Sequence, residues 1–146
     1  MSFSNAAETA LLLHLFNNSA YANIGDATGL PGASTAGVYY VGLHTADPGE
    51  AGAQNTNEIA YTGYARVAVA RTAGGWSVVG NAVSNVGAVT FGACTAGSGT
   101  ATHFSIGTAA TGAGNLLLSG SLLGSLAISA GITPAFSAGQ LQATLD

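Results

Sequence analysis

His44, Asp47 and Glu50 stand three residues apart around Pro48 and bring an imidazole and two carboxylates to one short stretch. That spacing could converge three hard or borderline ligands on a divalent cation. The competing reading has Asp47 opening a turn before Pro48, with His44 at a strand end and Glu50 solvated. It is preferred, because a lone turn rarely supplies a complete coordination shell. Cys94 is the one thiol. It could act as a nucleophile only if the fold delivers His44 or His103 to it, and a small buried thiol is the commoner state. His14 lies on a helix with no visible partner.

Other chemistries fail on residue type. The chain has no lysine, which removes the Walker phosphate loop and Schiff-base catalysis. No Gly-x-Ser-x-Gly elbow presents a serine. Gly112-Ala113-Gly114 lacks both the third glycine and the strand–helix setting of a dinucleotide fingerprint, so it reads as a turn. Asn17-Asn18-Ser19 matches a glycosylation acceptor but carries no weight without a secretory signal. We therefore expect no catalytic residue, no metal and no cofactor.

Arg66 and Arg71 are the whole basic inventory. In so neutral a chain each should pair with a specific carboxylate or a cluster of carbonyls rather than sit in water. Glu58 and Glu50 are the natural partners, within the chain or across a subunit boundary. Recognition of an acidic ligand is the weaker alternative, since no second cation clusters with either arginine. Tyr40, Tyr61, Tyr64 and Trp76, with Tyr39, are candidate aromatic contacts that would present ring faces to a receptor or glycan.

The elements that must position these residues follow from periodicity. Residues 5–16 predict one helix, capped by Asn5 with Glu8 in the capping-box position and an apolar stripe of Ala7, Leu11, Leu12, Leu15 and Phe16. Residues 19–36 form a long irregular arm or loop, and a stretch of that length should serve a purpose, here contact with a neighbour. From residue 38 to 146 the chain reads as a β-rich body. Strands are expected at 38–44, 64–71, 76–79, 86–91, 102–106, 115–119 and 122–129, with a terminal hairpin of 133–137 and 141–145. The expected fold is mainly β, a single-domain antiparallel sandwich or barrel spanning 1–146 with one N-terminal helix.

Composition bounds the partners. Two arginines and six carboxylates give a net charge of −4, with histidine neutral, where an ordinary soluble chain devotes about a quarter of its residues to charge. Two cations cannot supply a basic track, so nucleic acid is not expected as a partner, nor is an anionic membrane surface. No apolar run approaches the roughly 20 residues of a membrane helix. The amino terminus lacks the positive region of a secretory signal and one cysteine forms no internal disulfide, so synthesis in a cytosol, with no oxidising compartment, is expected. A surface of methyls and hydroxyls suits a building block enclosed by other subunits better than a free enzyme.

Four segments carry a family resemblance: residues 4–16 (SNAAETALLLHLF), 40–52 (YVGLHTADPGEAG), 61–69 (YTGYARVAV) and 102–107 (THFSIG). In order and wording the chain resembles small tailed-bacteriophage virion proteins, often labelled tail fibre proteins, over nearly its whole length. It differs from many relatives in the stretch between Asn17 and Gly37. The resemblance implies a non-enzymatic particle component. Within that class, a capsid cement or decoration protein is the leading expectation, a homotrimer docked on the major capsid protein. The alternative is a tail fibre or tail-associated protein, bound to tail components, with a receptor- or glycan-binding role.

Overall fold

The computed structural model describes residues 2–145; Asp146, one of the six carboxylates, lies outside them. In chain order the elements are α1 (Asn5–Asn17), β1 (Val38–His44), β2 (Val67–Ala70), β3 (Trp76–Val79), β4 (Ala82–Asn85), β5 (Val89–Thr90), β6 (Ser98–Gly107), β7 (Leu116–Ser129), β8 (Ala135–Phe136) and β9 (Gln142–Thr144). The fold is mainly β with one N-terminal helix and antiparallel sheets. No barrel closes. The largest sheet runs β2-β1-β6-β7, so β2 and β7 remain its open edges.

The chain divides into two compact units, residues 2–38, 70–88 and 137–145, and residues 39–69 and 89–136. In the first, α1 lies on β3 and β4. Ser4, not Asn5, is the cap: its Oγ accepts the Ala7 N–H at 3.3 Å. A hydroxyl one residue earlier thus satisfies an orphan donor, and Glu8 falls outside the capping-box position. Glu8, Leu12 and Phe16, spaced by four, form the buried face. The helix stops at Asn18, whose left-handed backbone (φ 55°) turns the chain so that the Ser19 N–H reaches the Leu13 carbonyl at 3.2 Å. Phe16 meets Trp76 edge-on, ring centres 5.1 Å apart.

β3 and β4 make a hairpin, Trp76 opposite Asn85 and Val79 opposite Ala82. β9 adds to the far side of β4. The β4 strand is absent from the sequence expectation. So is the pairing of the carboxy-terminal strands: β8 pairs with β5 and β9 with β4, so no hairpin joins 133–137 to 141–145.

Residues 19–36 form a loop closed on itself rather than a free arm. Tyr21 and Leu30 exchange backbone hydrogen bonds of 2.8 and 2.9 Å. Between them the Asp26 carboxylate accepts the Thr28 and Gly29 amides, an Asx turn. Asn18 pins the far end, donating to the Ala33 carbonyl at 2.8 Å and accepting the Ala33 N–H at 2.7 Å.

In the second unit β1 pairs antiparallel with β6, from Tyr40 opposite Gly107 to His44 opposite His103. Val41, Leu43, Ile59, Phe91, Ala101, Ile106 and Ile128 form its buried core. Phe91, Phe104 and Phe136 pack edge to face, and Tyr64 stacks on Phe91. The strand expected over 64–71 is only Val67–Ala70, because Tyr64 closes a turn onto the Tyr61 carbonyl. The two strands expected at 115–119 and 122–129 are one, β7, pairing with β6.

Candidate functional site

Polar side chains converge in two places, one in each unit, and each is built around one of the two arginines. In the second unit Arg66 faces Glu58 in a two-pronged ion pair, Nε to Oε1 at 2.6 Å and Nη2 to Oε2 at 2.7 Å. The same guanidinium donates to the Ala109 carbonyl from Nη1 and the Gly112 carbonyl from Nη2, both at 2.8 Å. The Arg66 side chain is 1% exposed and that of Glu58 17%. A planar fork matched to a carboxylate is the geometry in which arginine binds most strongly. Here it ties the segment before β2 to the 109–112 turn.

Tyr64 extends the network. Its hydroxyl donates to Glu58 Oε1 at 2.8 Å and accepts the Leu43 N–H at 3.1 Å. Burial is the main reason its phenol is held well above the ordinary tyrosine range. Tyr61 is raised as well, by burial first and then by neighbouring Cys94; its hydroxyl donates to the Gly92 carbonyl.

His44 sits beside this cluster, fully buried. Its Nδ1 lies 2.8 Å from the Thr56 carbonyl and its Nε2 2.7 Å from Ser105 Oγ. A carbonyl only accepts, so Nδ1 carries the proton and Nε2 accepts the Ser105 hydroxyl. Desolvation lowers the imidazole pKa, outweighing the Thr56 hydrogen bond and the Glu58 charge that raise it. The arrangement is that of a serine with its base and an orienting acceptor, yet Ser105 and His44 are each 0% exposed. No solute reaches either atom without opening the sheet.

The other arginine works in the first unit. Arg71 donates from Nε to the Leu15 carbonyl and from Nη2 to the His14 carbonyl, the last turn of α1. Its Nη1 reaches Asn18 Oδ1 at 2.9 Å and the Ala36 carbonyl at 3.4 Å. A cation at the negative end of a helix is favourable, and it satisfies carbonyls that the helix leaves open. Arg71 thus takes carbonyls and an amide where Arg66 takes a carboxylate.

Glu50 is exposed and forms no ion pair among the described residues. Asp47 accepts the Gly49 amide in its own turn, and with both His44 nitrogens engaged the three residues are not brought together on a cation. Among the described residues no group of three or more His, Cys, Asp or Glu is placed to hold a metal. Cys94 is buried, its thiol 3.5 Å from the Ala96 and Gly97 carbonyls. Trp76 is 1% exposed and Tyr61 8%, while Tyr40 and Tyr64 are half-buried. Trp76 and Tyr61 are too buried to present the aromatic platform expected for a glycan.

Two buried amides were invisible to sequence reading. Gln54, fully buried, accepts the Ala109 N–H at 2.8 Å and donates to the Tyr40 carbonyl at 3.4 Å. A Cβ at Gly107 would overlap the Gln54 side chain, which explains that glycine. Asn85 donates to the Gly87 and Ser137 carbonyls and accepts the Leu141 N–H. Neither amide lies in a motif; apart from the local Asn85–Gly87 bond, the tertiary fold gives each its partners.

Among the described residues no helix is long and apolar enough to cross a membrane. A search of curated proteins finds no match to the chain. The model of one family, described as podophage GP4 fiber I protein gp80, matches residues 2–144. With its mainly β fold and a match over nearly its entire length, the chain belongs to the podophage GP4 fiber I protein family, fibre-type virion proteins of bacteriophages.

Proposed function

We infer that this protein is a structural subunit of the phage particle, a fibre or tail-associated component that works through contact surfaces and not through catalysis. One observation carries this reading: both cations are committed inside their own units, Arg66 to Glu58 and two carbonyls, Arg71 to the end of α1. What remains at the surface is mostly small apolar and hydroxyl side chains, together with exposed Phe3, Val79 and Leu123 and the carboxylates of Asp26, Asp47 and Glu50. Such a surface associates by apolar burial and hydrogen bonding, with little dependence on salt. The partners that fit are further copies of the chain and other tail proteins, and the site of action is the virion.

A capsid cement role is the second reading, favoured by the same neutral surface, which suits tight packing over capsomers. Immunogold labelling of purified virions separates the two. Label on the tail or its fibres supports the first, and label spread over the capsid faces supports the second. Virions without label overturn both.

A further inference from the structure

The outer edge of the largest sheet carries an internal symmetry. Residues 116–123 read Leu-Leu-Leu-Ser-Gly-Ser-Leu-Leu, and Gly120 is the centre of a mirror in which Ser119 matches Ser121, Leu118 matches Leu122 and Leu117 matches Leu123. Exposure alternates in step: Leu117, Ser119, Ser121 and Leu123 are exposed, whereas Leu116, Leu118, Gly120 and Leu122 are half-buried. β7 has β6 on one side and no strand on the other. Among the described residues, no backbone hydrogen bond outside the sheet involves residues 116–128.

Edge strands are usually blunted by charge or proline, since an open row of N–H and C=O groups invites pairing. Leu116–Ser129 contains neither. Its ladder with β6 skips Leu117, and four residues, Leu122 to Ser125, oppose the single Thr102. Both skips leave a leucine in solvent. Leu117 is 41% exposed and Leu123 113%, a side chain standing clear of its own fold.

We propose that β7 is a self-association edge, on which a second copy of this chain pairs antiparallel about a two-fold axis through Gly120. In an antiparallel pair centred there, each residue faces the one at its mirror position in the other copy. Leu117 of one copy then meets Leu123 of the second, twice over, and Ser119 meets Ser121. The two most exposed apolar side chains of the strand cover each other, and cross-strand pairs of this kind are the unit of sheet stabilisation. The interface is isologous, the same patch used by both copies. The occupant is a second copy because the strand is complementary to itself, and because two chains of net charge −4 meet there along a charge-free seam.

The inference builds on the assembly role proposed above, and the two fail separately. A chain that stays monomeric in solution yet is present in purified virions overturns the β7 pair alone; a dimer absent from virions overturns the assembly role alone. The test is sedimentation velocity on the wild-type chain and three variants across a concentration series, with circular dichroism to check folding. The wild type should sediment as a dimer. Leu123→Glu and Leu117→Lys should each weaken association by about a hundredfold, because each change enters a two-fold interface twice. Combining Leu117→Lys with Leu123→Glu should restore the dimer, since antiparallel register sets each lysine opposite a glutamate. Parallel pairing would instead set like charges together. A monomeric or trimeric wild type, dimers indifferent to Leu123→Glu, or a double variant no better than the singles would overturn the proposal.

Discussion

Ser105 Oγ lies 2.7 Å from His44 Nε2, and the other ring nitrogen is held 2.8 Å from the Thr56 carbonyl. Both contacts suit the neutral imidazole, and burial lowers its pKa from the ordinary 6.5. The unfolded chain therefore binds a proton at this site more readily than the folded one. Stability from His44 is fully present above pH 6.5 and is lost as pH falls from there toward the folded-state value. Urea midpoints should fall between pH 7.5 and pH 5, and His44→Gln should flatten that slope. An equally steep slope in the variant would place the dependence elsewhere.

Among the described residues, Arg66→Ala strands the Glu58 carboxylate with only Tyr64 as a donor and removes the guanidinium that donates to the Ala109 and Gly112 carbonyls. Breaking a buried ion pair from one side costs about 3–5 kcal/mol. Urea unfolding should register a loss of that size. Arg66→Lys keeps the charge but not the fork, and should recover only part of it. A loss below about 1 kcal/mol, the range of a solvent-exposed pair, would show that the four hydrogen bonds do not hold this segment.

Asn18 serves three structures at once: the left-handed end of α1, Arg71, and the closing of the 19–36 loop at Ala33. Asn18→Ala should cost about 1–3 kcal/mol, from the left-handed backbone and the lost hydrogen bonds. Asn18→Gly relieves the backbone but not the side-chain ties, so its loss should be smaller. Limited proteolysis should cut both variants within residues 19–36 faster than the wild type. An unchanged cutting rate in Asn18→Gly would mean that the Tyr21–Leu30 bridge alone closes the loop.

What could be read from the sequence was local. The helix and β1 announce themselves through periodicity, and β1 spans Val38–His44 in expectation and structure alike. Periodicity predicts two strands where β7 runs on unbroken through Gly120. In the sheet that glycine lies opposite Phe104, and a Cβ there would approach the ring to 2.9 Å. The aromatic ring covers the glycine and lets the strand continue. The expected carboxy-terminal hairpin is absent for the opposite reason: its halves have good local strand patterns, but each pairs with a strand 45 to 62 residues earlier in the chain. Pairings of that separation leave no trace in local alternation. The site shows the same division. That Arg66 and Glu58 should pair follows from charge scarcity, whereas Gln54 meets Ala109, Asn85 meets Ser137 and Ser105 meets His44 across distant chain.

Trp76 sets a test of packing against polarity. The ring is 1% exposed and edge-on to Phe16, yet its Nε1 has no hydrogen-bond partner among the described residues. A buried donor left unpaired costs about 1–3 kcal/mol. Phenylalanine removes that penalty while giving up part of the ring's contact area, two effects of opposite sign and similar size. Trp76→Phe should therefore change stability by about 1 kcal/mol or less, against roughly 3–5 kcal/mol for Trp76→Ala, which opens a cavity under α1. Urea unfolding of the two variants measures both. A phenylalanine variant as damaged as the alanine one would mean that the indole N–H has a partner in solution, and that the polar end of the ring, not its area, holds the helix to β3.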